Sequence, residues 1–167
     1  MHPYHHPLFI HFIVYFNRNQ DYFECHEVLE EYWKSIPGAD KEHPLTAFIL
    51  LATGLYHWRR GNFKGAIRTL VKAERRMLAF PPLFRQEIDF DQLLNDLKHS
   101  LESIREEKPF SAFPLHLHSG MLLKSTTMEV SQMNLLPANS NAIIHKHMLR
   151  DRTDILISRQ KKKRGRN

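Results

Sequence analysis

The stretch DYFECHEVLEEYW, residues 21–33, constrains this chain more than any other, because only a helix reconciles its pattern. Asp21 has the side chain of an N-cap, and Glu24 three positions later has the spacing of a capping box, which would satisfy two orphan backbone donors. Pro37 and Gly38 stop the helix at its far end. At about 100° per residue, Tyr22, Phe23, Cys25, Val28, Leu29, Tyr32 and Trp33 share one broad apolar arc, and Glu24, Glu27, Glu31 and Lys34 take the rest. His26 and Glu30 break this division. They fall inside the apolar arc, spaced i,i+4 so that their side chains can meet. An imidazole and a carboxylate in a core carry a desolvation cost unless they are paired. The pattern therefore predicts either a buried His26–Glu30 pair that fixes helix register or a polar spot facing a cleft.

The rest of the chain reads as helices built around this one. A helix from residue 4 or 7 to residue 16 places Phe9, Phe12, Ile13 and Phe16 on an i, i+3, i+4, i+7 stripe. Residues 17–20 are a polar turn, short enough to demand an antiparallel neighbour. Pro44 suits the first turn of a third helix reaching Trp58, apolar on nearly every side and so central. Gly54 within it costs about 1 kcal/mol relative to alanine, which implies close approach of a neighbouring backbone. Gly61 suits a left-handed C-cap, and Asn62 the N-cap of a fourth helix over residues 63–79. That helix buries Phe63, Ala66, Ile67, Leu70, Ala73 and Met77 and turns Lys64, Arg68, Lys72, Arg75 and Arg76 outward. Asp89 and Gln92 cap a fifth helix, with Phe90, Leu93, Leu94, Leu97, Leu101 and Ile104 on its stripe.

Residues 109–120 read as an extended strap over the core, residues 121–136 have no firm assignment, and residues 139–157 suit a last helix. No strand pair with a hairpin turn appears. The third and fourth helices echo a single tetratricopeptide-like hairpin, whereas a solenoid needs at least three. The predicted fold class is all-α, a compact bundle of about five or six helices with central antiparallel pairs, an irregular C-terminal segment and a basic tail. It forms one domain over residues 1–158, with its core in residues 7–107.

Charge narrows the partners. The formal net charge is +6, and residues 159–167 hold Arg159, Lys161, Lys162, Lys163, Arg164 and Arg166 with no acid among them. Without those six cations, 18 of the 24 basic residues remain against 18 acidic ones, so the globular part is neutral. The tail reads as a disordered, solvated end. Its second use is nucleic-acid contact through Lys161, Lys162, Lys163 and Arg164. The basic face of the fourth helix extends that use, and the lack of interleaved aromatics makes any such binding salt-sensitive and blind to sequence. The single cysteine, Cys25, excludes an intramolecular disulfide and fits a reducing cytoplasm, packed as a small hydrophobe. The longest apolar run, residues 47–56, is well short of the roughly 20 residues of a membrane span. No Lys or Arg precedes the first apolar segment, against a signal peptide and a membrane partner.

DYFECHEVLEEYW followed by GLYHWRRGNFKGA, residues 54–66, resembles the family called domain of unknown function 309, small all-helical prokaryotic proteins. The resemblance spans residues 16–78. Its first motif carries over at Tyr22, Phe23, His26, Glu27, Leu29, Glu30 and Trp33. Its second carries over at Gly54, Tyr56, His57, Arg60, Gly61, Asn62, Gly65 and Ala66. Where that family reads Gly-Leu-Ile-Gln, this chain has Ala47-Phe48-Ile49-Leu50. The resemblance implies a helical fold and leaves the reaction open.

Several uses of these residues compete. HEVLE has the shape of HExxH with glutamate in place of the second histidine. His26 and Glu30 can then coordinate a divalent metal, with His57 on the neighbouring helix as third ligand and Glu27 in the position of a general base. His26, Glu27 and Glu30 would be the catalytic residues of a metal-dependent or acid–base, hydrolase-like enzyme. The leading reading is structural: a buried His26–Glu30 pair, joined by His57 or Arg60, in a non-enzymatic module that acts through a protein partner or a second copy of itself. Arg60, Asn62 and Lys64 form a candidate anion site at a helix N-terminus. The alternative is that these arginines meet the acidic second helix. His2, His5, His6, His116 and His118 have only loose metal-ligand spacings, in segments read as flexible.

Overall fold

Phe48, in the middle of the central helix, gathers the aromatic core. Its ring centroid lies 5.7 Å from Tyr4, 5.3 Å from Phe9, 5.6 Å from Phe12 and 5.7 Å from Phe80, mostly in tilted or edge-on geometry, the arrangement favoured by the aromatic quadrupole. The computed structural model that shows this describes residues 1–146. Among them are α1 (Pro7–Val14), α2 (Tyr22–Ser35), α3 (Pro44–Arg59), α4 (Phe63–Leu78), α5 (Phe90–Arg105), α6 (Gly120–Val130) and α7 (Asn141–Ile144). The fold is all-α. α3 packs between α2 and α4, α1 lies against α2, and α5 lies against α4. None of the described helices is long and apolar enough to cross a membrane.

Three helical segments begin at a His-Pro pair: His2-Pro3, His6-Pro7 and His43-Pro44. In each, the imidazole Nδ1 accepts the N–H two residues on, from Tyr4, Leu8 and Leu45, at 3.1 Å. Proline takes the first helical position, where its missing N–H costs nothing. His2 and His6 are therefore caps, and the segment that carries them is packed: Tyr4 is fully buried and its hydroxyl donates to the Phe84 carbonyl. His5 pairs with Glu87 at 2.6 Å, and His118 with Asp89 at 3.4 Å.

Between α1 and α2 the expected polar turn is a wide π-helical turn, Tyr15–Asn19, which closes on Gln20 at φ 50°. This turn alters the predicted capping box. Asp21 does accept the Glu24 N–H, at 3.2 Å, but its own N–H is taken by the Tyr15 carbonyl of the π turn. Glu24 meets Lys146 instead, at 3.2 Å, and Lys146 also reaches Asp21 at 2.8 Å. α5 repeats the device: Asp89 accepts from Gln92, while its N–H goes to His116.

The α3–α4 hairpin turns as expected, through Gly61 at φ 80° and Asn62, whose Oδ1 accepts the Gly65 N–H at 3.0 Å. Gly54 serves a different neighbour from the one predicted. A Cβ there would lie 2.4 Å from Leu70 Cδ2, so it is a side chain of α4, and not its backbone, that approaches.

The strap over residues 110–119 lies on the core. Leu115 is buried, Phe110 packs edge-on against Trp58 and Tyr22, and Asn17 holds both the N–H and the carbonyl of Leu115. A single antiparallel bridge joins Ile88 to Leu117. The buried set runs past residues 7–107, from Tyr4 to Leu122 and Ile143. The unassigned stretch after the strap contains α6, which packs on α1. Of the predicted last helix, α7 is one turn. Residues 147–157 and the basic tail, with Lys161, Lys162, Lys163 and Arg164, lie outside the described residues.

Candidate functional site

α2 reaches the core through a seam narrower than its apolar arc. Tyr22, Cys25, Leu29 and Tyr32 are the residues buried against α1 and α3, whereas Phe23, Val28 and Trp33 are only partly covered. His26 and Glu30 lie to one side of that seam. Their side chains are 34% and 32% exposed, so they are not the buried pair that the pattern suggested. The apolar arc is thus wider than the seam, and Phe23, Val28 and Trp33 form a partly covered flank.

On this flank His26 stands between two carboxylates. Its Nδ1 lies 3.2 Å from Glu27 Oε1 and its Nε2 3.4 Å from Glu30 Oε2. Lys34 reaches the other Glu30 oxygen at 2.5 Å. The Lys34 hydrogen bond holds the Glu30 carboxyl below the ordinary glutamate range against the opposing effect of burial, with smaller help from the His26 and Lys34 charges. One ligand atom from each of His26, Glu27 and Glu30 lies within 4.8 Å of the other two, and among the described residues this is the group that could hold a metal ion. Its donor set, one imidazole and two carboxylates, suits a borderline or hard divalent cation.

Beside the triad, between α2 and α3, opens a cleft of about 190 Å³ lined by Tyr22, Phe23, His26, Glu27, Thr53 and Tyr56. Its walls are mainly aromatic, with Phe23 tilted against Tyr56 at 6.3 Å. Sequence reasoning missed Thr53. Its spacing of three residues from Tyr56 puts both on one side of α3. The Thr53 hydroxyl is spent on the Ile49 carbonyl at 2.9 Å, so it offers the cleft a methyl group.

His57, the proposed third metal ligand, is not part of the triad, and its Nδ1 lies 3.3 Å from Asn62 Nδ2. The anion candidates are also separated by their engagements. The Arg60 guanidinium lies 5.5 Å from the Tyr56 ring centroid, Asn62 spends its oxygen as a cap, and Lys64 is exposed on α4. Arg59 lies over the Tyr22 ring at 4.8 Å and near Phe110 at 5.6 Å, and donates to the Gln20 carbonyl at 2.8 Å. At Arg59 the end of α3 thus meets an aromatic wall. Cys25 is buried as expected, its thiol directed at the Phe12 carbonyl at 3.7 Å.

The comparisons agree with the motifs. The family model described as domain of unknown function (DUF309) matches residues 9–69. The chain is 33% identical over 159 residues to the uncharacterized protein YpuF of Bacillus subtilis (strain 168), covering 92% of this chain and 91% of that relative. No solved structure matches. The two motifs now divide by role. Gly54, Gly61, Asn62, Gly65 and Ala66 build the α3–α4 hairpin, whereas Tyr22, Phe23, His26, Glu27 and Tyr56 line the cleft.

Proposed function

We propose, from the premise that this chain belongs to the DUF309 family, that it is a non-enzymatic binding module of the cytoplasm. Its working site is the α2–α3 cleft, with a divalent cation held at the rim by His26, Glu27 and Glu30. The carrying observation is the juxtaposition of three convergent donors, half-exposed and within 4.8 Å of one another, with an apolar cleft. A cation there would anchor a polar group of the ligand while Phe23, Tyr56 and the Thr53 methyl take its apolar part. A cation there would compete with Lys34 for Glu30.

The test is calorimetric titration of chelator-treated protein with zinc and with manganese, wild type beside His26→Ala, Glu27→Gln and Glu30→Gln. One-to-one binding that weakens at least about tenfold in each variant is the expected result, in line with the usual cost of losing a ligand or its support. Absence of binding, or binding unchanged in His26→Ala, would discard the cation. A second reading rests on the separate contacts of the two ring nitrogens, Nδ1 with Glu27 and Nε2 with Glu30. It makes His26 the bridge between two carboxylates in a metal-free rim around a cleft that takes an apolar side chain of a protein partner.

A further inference from the structure

α4 carries a second surface unrelated to the cleft. Its buried residues, Ala66, Leu70, Ala73 and Met77, face α3 and α5. Directly opposite, Lys64, Arg68, Lys72 and Arg75 fall within an arc of about 80° at ~100° per residue. All four are exposed. At a rise of 1.5 Å per residue they form a line about 16 Å long on the outermost side of the hairpin.

Lys64, Arg68 and Lys72 follow one another at i,i+4, the spacing at which like charges repel along a helix. Among the described residues the ion pairs engage Lys34, Lys108, Lys146 and five histidines, and leave these four cations without a carboxylate within 4 Å. Acids are present, but on other faces. Glu74 and Asp91 line the groove on the α5 side, and Glu24, Glu27, Glu30 and Glu31 lie on α2 across α3. A globular part with no net charge is thus split into an acidic flank and a basic one.

We propose that the Lys64–Arg68–Lys72–Arg75 stripe binds the phosphodiester backbone of nucleic acid. The charges form a line along the helix, which suits a partner whose own charges are strung along a strand. Arg68 and Arg75 can each fork onto one phosphate, and Lys64 and Lys72 add point charges. Such binding reads no sequence. Lys161, Lys162, Lys163 and Arg164 of the tail supply the same chemistry, so the experiment separates the two.

The probe is a fluorescein-labelled DNA duplex of about 20 bp, titrated with the full chain by anisotropy between roughly 50 and 200 mM NaCl. Wild type is compared with a stripe variant (Lys64→Gln, Arg68→Gln, Lys72→Gln, Arg75→Gln) and a tail variant (Lys161→Gln, Lys162→Gln, Lys163→Gln, Arg164→Gln). The stripe variant should bind at least about tenfold more weakly, with the slope of log affinity against log salt smaller in magnitude by about 3 to 4. Its melting temperature should be unchanged or higher, because the repulsion is gone. No duplex binding by the wild type, or an unchanged slope in the stripe variant, would overturn the proposal. So would equal competition by polyglutamate or by anionic lipid vesicles, or a self-association lost in the stripe variant, which would put an acidic peptide, a membrane or a second copy on this face.

Discussion

His43 Nδ1 accepts the Leu45 N–H at 3.1 Å, so the first turn of the central helix is capped by an imidazole that can do so only while that nitrogen carries no proton. Burial holds the His43 pKa below the ordinary histidine value, against a weaker upward pull from Asp40. The sign follows from linkage. A base whose folded pKa is depressed contributes stability that is full above the unfolded value and is lost as pH falls through it. Urea midpoints should therefore drop between about pH 7.5 and pH 5.5, by an amount comparable to a lost cap, about 1 kcal/mol. His43→Asn keeps an acceptor without the titration and should flatten that slope. A variant as acid-sensitive as the wild type would remove His43 from the account.

The exposed position of His26 reverses the stability consequence of a buried pair. A buried His26–Glu30 pair, broken, would cost about 1–3 kcal/mol through an orphaned carboxylate. With both side chains about one-third exposed and Lys34 already on Glu30, His26→Ala should change stability by no more than about 0.5 kcal/mol, the usual range for a surface ion pair. Denaturant unfolding without added metal measures this directly. A loss above about 1.5 kcal/mol would mean that the pair supports the fold.

Gly54 and Leu70 make the opposite case, a substitution that local propensity favours and packing forbids. Alanine in mid-helix gains about 1 kcal/mol over glycine. Here its Cβ would lie 2.4 Å from a Leu70 methyl across the α3–α4 pair, and overpacking typically costs about 1–3 kcal/mol. Gly54→Ala should lower the melting temperature, and Gly54→Ala with Leu70→Ala should lose less than the sum of the two single changes. Additive losses would show that the two positions do not meet.

These outcomes mark what a sequence can display. Periodicity finds Phe9, Leu70 and Leu97 because a repeated apolar position has one burial solution, and Asn62 and Asp89 announce themselves as caps by residue type. The width of a buried seam is another matter. It depends on how far the neighbouring helices wrap α2, and for that reason His26 was legible as an anomaly and not as a rim residue. The His-Pro caps were legible in principle, as three repeats of one dipeptide, but histidine is an uncommon cap and its spacing suggested metal ligands instead. Glu24 shows a further limit. A capping box is a local pattern, and a carbonyl from the preceding π turn displaced half of it.

Asp21 joins that turn, α2 and the far end of the described chain, and its substitutions separate cap from charge. The side chain is 2% exposed, accepts the Glu24 N–H through Oδ1 and meets Lys146 through Oδ2. Asp21→Asn keeps the cap and deletes the ion pair; Asp21→Ala deletes both and leaves the 17%-exposed Lys146 ammonium with Glu24 at 3.2 Å as its remaining carboxylate. Losing a cap costs about 1 kcal/mol, and breaking a buried pair from one side reaches about 3–5 kcal/mol when no second carboxylate is at hand. Because Glu24 stands in, Asp21→Asn should cost less than that range, and Asp21→Ala should exceed it by about the cap alone. Lys146→Met provides the control: it should cost more in the wild type than in the Asp21→Asn background. Equal costs in the two backgrounds would show that Lys146 does not hold Asp21 in solution.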